Sequence, residues 1–286
     1  MAVHIVTDST SDLTPSLLEA HGAAGLIHIV PLTVHFGEEE FLSGVTLSND
    51  EFYDRLVRSK VMPRTTQASP AAFIELYGKI SQPGDTILSF HISSKMSGTY
   101  QSAVLAAKQF GDRRIEVVDT KSASLGVGVI ALRAALAVKA GEKPDAVLAK
   151  SREWIRELQV YFVVDTLEYL HKNGRIGRAQ ALVGGLLNIK PVLTIDDGVV
   201  APVEKVRGKA NARTRLFDRA REALGQRPGG PPYAAIVHTR AQGDAEELSA
   251  RLAAEFPKAT VLVAELGPTV GTHVGPGALG IIGFPV

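Results

Sequence analysis

Residues 86 to 110 read TILSFHISSKMSGTYQSAVLAAKQF. The stretch opens on an apolar run, TILSFHI, with the length and the β-branched and aromatic content of a strand. It closes on AVLAAKQF, which reads as a helix. Between them, SSKMSGTYQSA (93 to 103) packs four serines, a threonine and a tyrosine into eleven residues, with Lys95 its one formal charge. A strand that hands over to a helix is the repeating unit of an α/β fold, and in an open α/β sheet ligands bind beyond the carboxyl ends of the strands. The helix start at Ser97, Gly98 and Thr99 offers free backbone N–H groups and a partial positive charge, and Gly98 lets a ligand approach the backbone closely. Hydroxyls and amides together suit an anionic oxygen. The plainer reading gives Ser97 or Thr99 the duty of capping the helix. This stretch alone leaves the two readings level.

The same alternation extends outward on both sides. VHIVTD is a short strand, DSTSDLTPSLLEAHG offers caps with Pro15 early in a helix and Gly22 at its end, and LIHIVPLTVHF is again strand-like. LSNDEFYDRLVRS and ASPAAFIELYGKI follow as helices, and IEVVDT is a further strand. To about residue 158 the pattern is α/β with a mainly parallel sheet. The rhythm then changes. VYFVVDTLEYLHKNG runs from a strand straight into a short amphipathic helix, and PVLTIDDGVVAPVEKVRG reads as two strands about a DDG turn. A basic helix, the loop RPGGPP, the strand YAAIVHT, the helix EELSARLAAEF, the strand ATVLVAEL and a glycine-rich end complete the chain. The boundary falls near residues 157 to 164. We expect an N-terminal α/β domain over 1–160 and a C-terminal α/β domain over 161–286, with the 62–73 loop reaching the second domain.

A chain of 286 residues, 45% apolar and 21% charged, can bury a core and still enclose a pocket. A net charge of +1 makes no field that argues for nucleic acid. The absence of cysteine excludes disulfides, thiolate metal sites and thiol nucleophiles, and fits a reducing cytoplasm. The first ten residues, MAVHIVTDST, lack the basic and apolar regions of a signal peptide. The most apolar helix candidate, SLGVGVIALRAALAV (124 to 138), is short for a membrane span and carries Arg133, so it reads as a buried helix. No Walker A motif, G-x-S-x-G elbow or H-E-x-x-H motif is present. GVGVIA fits G-x-G-x-x-A loosely, but it lies inside a helix pattern, where close packing is the better role. Asp8 and Asp12 of DSTSD are two carboxylates without a third ligand, so turn and cap duty outweighs metal binding.

Three further polar loops accompany the first. MPRTTQASPAAF (62 to 73) sets Thr65, Thr66 and Gln67 ahead of a helix, where they serve a ligand or leave Ser69 to cap. The strand-to-helix loop KNGRIGRA brings Arg175 and Arg178, which suit a carboxylate or phosphate or else a solvated surface. GTHVGPG holds His273 among glycines and a proline, which suggests an exposed, sharply turned loop near function.

IVTDSTSDL, RTTQASPAAF, ISSKMSGTYQSA, VVDTKSASLG, DTLEYLHKNGRIGRA, NIKPVL and GPTVGTHVGPGALG occur in this order over nearly the full length. In this series the chain resembles the DegV family. The resemblance implies two α/β domains with a lipid-binding cavity between them and a bound fatty acid as ligand. It implies no cofactor, no metal and no catalytic residue of the chain's own. It further implies that the protein is the lipid-carrying subunit of a bacterial fatty acid kinase, in the cytoplasm, whose separate ATP-binding subunit makes an acyl phosphate for phospholipid synthesis. The family's carboxylate contacts carry over to Thr65, Ser97, Arg175 and His273, and a basic residue of its R-x-K stretch carries over to Arg207. Thr66 stands where the family has serine and keeps a hydroxyl. Ala68 stands where it often has proline, which bears on the rigidity of that loop.

Desolvation and nucleophilicity divide these residues further. Each buried methylene contributes about 0.8 kcal/mol, so a dozen give on the order of 10 kcal/mol before ordering costs. The carboxylate then needs hydrogen-bond donors, because burying it bare is prohibitive. Neutral donors leave it a usable nucleophile, so Thr65, Thr66, Ser97 and Gly98 are expected nearest the oxygens. Arg175, Arg207 and His273 are expected at the rim, facing partner or phosphate, and the basic segment 205 to 215 has a use in docking the kinase subunit. The alternative is a serine hydrolase or acyltransferase with Ser97 as nucleophile, His273 as base and Asp8 or Asp119 orienting it. A third reading is a carbohydrate or small-anion sensor.

Overall fold

VHIVTD becomes strand β1 (Val3–Asp8) of a fully parallel sheet in the computed structural model, which describes residues 1–59, 61–184, 189–225 and 233–284. The loop read at RPGGPP and the first residue of NIKPVL lie outside these. The parallel sheet runs β2 (Ile27–Val30), β1, β6 (Thr86–His91), β7 (Arg114–Asp119). Its side chains alternate between two apolar layers, as strand geometry requires. Val6 and Ile87 face α3 (Pro70–Ile80) and α4 (Thr99–Ala107), whereas Ile5 and Leu88 face α5 (Leu125–Lys139). Also in this half are α1 (Pro15–Ala20), started by Thr14 with Pro15 at its first turn, and α6 (Pro144–Glu157), which packs on α5.

The second large sheet runs β10 (Val199–Arg207), β9 (Ile189–Asp196), β8 (Gln159–Val163), β13 (Leu279–Phe284), β11 (Tyr233–His238), β12 (Thr260–Glu265). It is mixed, with only β11 and β12 parallel. The DDG turn between β9 and β10 puts both Asp197 (φ 45°) and Gly198 (φ 79°) in the left-handed region, the geometry of a tight hairpin. One face of this sheet carries α8 (Lys209–Gly225) and α9 (Gln242–Glu255), packed on Val192, Ile236 and Ile281. The other face, through Val160, Leu193, Ala235 and Ile282, joins the same apolar layer as α5. Helix α5 therefore lies between two sheets, and this explains why it is apolar on every side. Among the described residues no helix is long and apolar enough to cross a membrane. A domain line after residue 160 runs through β8.

Four expectations need correction. LIHIVPLTVHF is not one strand. It breaks after Val30 at Pro31, which has no N–H to give a ladder. β3 (Thr33–Phe36) then leaves the parallel sheet for a small antiparallel one with β4 (Glu39–Leu42) and β5 (Arg64–Thr66). RTT, read as loop, is that third strand, with Thr65 opposite Val34. Helix α2 (Asn49–Arg58) covers this sheet, and its Ser48 and Glu51 form a reciprocal capping box. The third correction concerns GPTVGTHVGPG, which is not an exposed loop. It forms α10 (Pro268–Val274), buried at Thr269, Gly271, Thr272 and Val274. Gly271 lets that helix lie against α2, since a Cβ there would sit 2.7 Å from the Tyr53 hydroxyl and 2.8 Å from the Phe52 ring. KNGRIGRA likewise begins at the end of a helix, α7 (Glu168–Lys172), rather than after a strand, and leads into a 3-10 segment.

Gly128 shows how closely α5 is held. A Cβ at this position would lie 2.4 Å from the Ser11 carbonyl oxygen, a backbone atom that cannot swing aside. Alanine gains about 1 kcal/mol of helix propensity over glycine, but overpacking of this kind costs about 1–3 kcal/mol or more. Gly128→Ala is expected to lower the urea unfolding midpoint; a raised midpoint would show that the helix has room to shift.

Candidate functional site

Between the ends of the parallel strands and the α5-facing side of the mixed sheet lies a cavity of about 520 Å³, within the range of roughly 300–1,000 Å³ common for small-molecule sites. Its interior walls are apolar and buried, among them Val160, Leu170, Val200, Val237 and Ile282. Polar residues line it as well, Thr10, Ser124 and Thr269 among the buried ones and a second group nearer the surface. Thr65, Ser97, Gly98 and His273 are half-buried there, and Thr66, Gln67 and Arg175 are exposed. Six of the seven expected site residues thus meet at one cavity. The seventh, Arg207, does not line it; it stands exposed at the last position of β10.

Each polar group is placed by its own element. Strand alternation in β5 gives the two threonines different partners. Thr65 Oγ1 is 3.0 Å from His273 Nε2, and Thr66 Oγ1 is 2.7 Å from His35 Nε2. Capping duty in this segment belongs to Ser69, whose Oγ accepts from the Ala72 N–H at 3.2 Å, so Thr65 is not needed for it. In SSKMSGTYQSA the Ser97 hydroxyl bonds the start of α4, accepting the Thr99 N–H at 3.2 Å, and Ser97 also borders the cavity. Gly98 is the residue before α4 and has no side chain to cap it. Its open flank is occupied by Gln67, since a Cβ on Gly98 would lie 1.9 Å from Gln67 Oε1. Gln67 in turn donates to Ser102 Oγ at 3.0 Å, tying the two loops together.

Arg175 is set by the way α7 ends. Gly174 takes φ 68°, its N–H donates to the His171 carbonyl, and the Arg175 N–H reaches back to the Leu170 carbonyl at 2.9 Å. This is a Schellman ending, and glycine supplies its left-handed residue. The Arg175 guanidinium donates to the main-chain carbonyls of Met96 (3.1 Å) and Asn173 (2.9 Å). Among the described residues no carboxylate is ion-paired with it. His273 is enclosed by protein atoms. Burial first, and then the Arg175 charge, push its imidazole down to about 4, so it is neutral at physiological pH. Its Nδ1 has no hydrogen-bond partner among the described residues. Arg178, by contrast, is engaged by Asp196.

Other polar groups around the cavity are already engaged. Thr10 Oγ1 donates to Asp8, and Ser124 Oγ donates to Asp12 at 2.6 Å. Asp8 also accepts from the His91 ring at 2.8 Å and from two backbone N–H groups, so its role is to cap the Ser9–Ser11 turn and anchor it to β6. Asp119 is bonded to Ser94 and to the Lys121 N–H. Neither carboxylate reaches His273, and the His273 Nε2 bond goes to Thr65 rather than Ser97, so the hydrolase triad is not assembled. In the basic segment Lys209 pairs with Asp165, Arg213 with Asp244 and Arg215 with Glu204, which leaves Arg207 and Lys205 exposed without ion pairs among the described residues.

Asp12 is buried between the halves of the chain and accepts from the Gly267 N–H at 2.9 Å; burial raises its carboxyl to about 7. The native state therefore keeps a proton on Asp12 that the unfolded chain, titrating near 3.8, releases, and stability falls as pH rises from 3.8 to 7. His273 acts in the opposite sense. The unfolded chain takes up a proton near 6.5 that the native state refuses down to about 4, so stability falls as pH drops through that window. Asp12→Asn keeps an acceptor for Gly267 and tolerates the left-handed backbone at this position (φ 53°). It is expected to raise the melting temperature by about 2–6 °C at pH 8 and to leave it unchanged near pH 4. An equal shift at both pH values would rule out the protonation account.

Comparison with known proteins agrees with this architecture. A family model described as "Uncharacterised protein, DegV family" matches residues 2–285. A DegV domain-containing protein of Deinococcus radiodurans is 40% identical over 281 residues, covering 98% of each chain. The solved structure of a DegV family protein from Thermus thermophilus, described as fatty acid binding, superposes with a TM-score of 0.91 at 36% identity over the whole of both chains. DegV of Bacillus subtilis, a fatty acid binding protein, superposes at 0.90 with 32% identity over the whole of both chains.

Proposed function

The chain belongs to the DegV family, and from that premise we propose that it binds a long-chain fatty acid and presents the carboxylate to a separate ATP-dependent kinase subunit, which converts it to an acyl phosphate. The observation that carries this reading is that Thr65, on β5, and Ser97, in the loop between β6 and α4, line one cavity whose buried walls are largely apolar. An acyl chain in the interior leaves water at about 0.8 kcal/mol per methylene. Its carboxylate, at the outer end, exchanges water for the hydroxyls of Thr65 and Ser97, with Thr66 and Gly98 beside them. A neutral His273 lets Thr65 turn its hydroxyl proton to the ligand, because Nε2 accepts only in one tautomer and donates in the other.

Phosphoryl transfer consists mostly of positioning and charge stabilisation. A carboxylate held by neutral hydroxyls keeps its nucleophilic electron pair, and the exposed Arg175 guanidinium is available to the charge that develops on the transferring phosphoryl group. Arg207 and Lys205 add positive charge on the surface for a nucleotide-bearing partner. On this reading the protein works in the cytoplasm, supplies substrate for phospholipid synthesis and comprises two α/β domains, residues 1–160 and 161–286.

Native mass spectrometry of gently purified protein is expected to show the added mass of one long-chain acid. Replacing Thr65 and Ser97 together by alanine is expected to weaken binding of a long-chain acid by about 100-fold or more, since each hydrogen bond to a charged group is worth about 1.5–3 kcal/mol. A protein that neither retains nor takes up the acid contradicts the proposal; unchanged affinity in the double variant contradicts the head-group assignment.

A further inference from the structure

Helix α10 carries His273 and, like any helix, leaves the carbonyls of its last turn without partners inside it. In an α-helix the carbonyl of residue i accepts from the N–H of residue i+4. For Thr272 that residue is Pro276, which has no N–H. Thr272 is fully buried, so water is not at hand as a substitute partner. The missing donor comes from another element. Asn173 Nδ2 donates to the Thr272 carbonyl at 3.0 Å.

The same Asn173 holds Arg175. Its main-chain carbonyl accepts from Arg175 Nη1 at 2.9 Å, and its own N–H donates to the Tyr169 carbonyl at the end of α7. Tyr169 presses on the other side of this helix end. A Cβ on Gly275 would lie 2.3 Å from the Tyr169 ring, so α7 and α10 are locked at two adjacent points. Asn173 is therefore one residue that touches both the backbone next to His273 and the guanidinium of Arg175, while it does not itself line the cavity.

We propose that Asn173 is a positioning residue of the carboxylate site, fixing His273 and Arg175 relative to one another through its side-chain bond to Thr272 and its carbonyl bond to Arg175. The inference rests on the fatty-acid reading above. The chemistry of the position is restrictive. The group must donate to a carbonyl, so aspartate fails. The donor must be one short arm from the backbone that also binds Arg175, so alanine fails outright and glutamine misplaces the contact by a methylene. His273 supports Thr65 (3.0 Å), so a displaced α10 loosens the hydroxyl as well as the imidazole.

The test compares two ligands that share a tail and differ in the head: a saturated long-chain acid and the primary alcohol of equal length. The wild-type protein binds both. Asn173→Ala is expected to weaken the acid by about 10-fold or more and to change the alcohol by less than about 2-fold, because a charged carboxylate loses far more than a neutral alcohol when the Thr65 hydroxyl, supported by His273, and the nearby Arg175 charge are displaced. Equal losses for both ligands would make Asn173 a merely structural residue and overturn the inference, as would no loss for either. If the alanine variant does not fold, Asn173→Gln, which keeps a donor on a longer arm, is read in the same assay against the same criterion. Failure of the wild-type protein to bind the acid overturns the fatty-acid reading instead, so the two failures are distinguishable.

Discussion

The hydrogen bond between Thr65 and His273 joins a strand near the start of the chain to a helix near its end, and the mouth of the cavity is built around it. Neither partner would be there without a local reason. Thr65 is in register only because β3 turned out of the parallel sheet at Pro31, and His273 is in reach only because Gly271 allows α10 to rest on Phe52 and Tyr53. The bond is of ordinary length, part-buried and between groups that are neutral at working pH. It therefore avoids the desolvation cost that a charged pair would carry in the same place.

The rest of the contact between the halves surrounds this bond. Tyr53 donates to the Leu266 carbonyl at 2.8 Å, the Gly267 N–H to Asp12, and Ser93 Oγ to the Gly198 carbonyl at 2.8 Å. These are buried or half-buried hydrogen bonds, each worth about 1 kcal/mol net and more if one partner is lost. Lys95 and Lys121 on Asp197, and Arg240 on Asp50, add ion pairs at the surface, where the worth of each falls to a few tenths of a kcal/mol and is screened by salt. The hydrogen bonds and the shared apolar layer around α5 thus hold the two sheets apart at a set distance, and the cavity is the space that distance leaves.

Much of this was legible in the sequence, and the part that was not has a common cause. Strand and helix alternation, the tight DDG hairpin, the buried nature of α5 and the pairing of polar loops with strand ends all follow from local composition and period. The split of LIHIVPLTVHF hung on one proline inside an otherwise continuous apolar run. Helix α10 was hidden because GPTVGTHVGPG has too many glycines for a free helix, and tertiary packing against α2 and α7 overrides that propensity. Thr65, Ser97 and Arg175 were identifiable from loop polarity and family motifs. The contact of Gln67 with Gly98, the use of Asp8 by His91 and the bond from Asn173 to Thr272 join residues far apart in sequence, and no local pattern signals them. Only the absence of an N–H on Pro276 hinted that Thr272 would need a donor from elsewhere.

The central claim is that the polar mouth of an apolar cavity solvates a carboxylate. A crystal structure of the protein purified without added lipid tests it most directly. The account predicts continuous density for one acyl chain against Val160, Val237 and Ile282, ending in a carboxylate within hydrogen-bonding distance of the Thr65 and Ser97 hydroxyls. A chain lying with its head among the buried side chains, or a cavity filled by ordered water with those hydroxyls paired elsewhere, would contradict it.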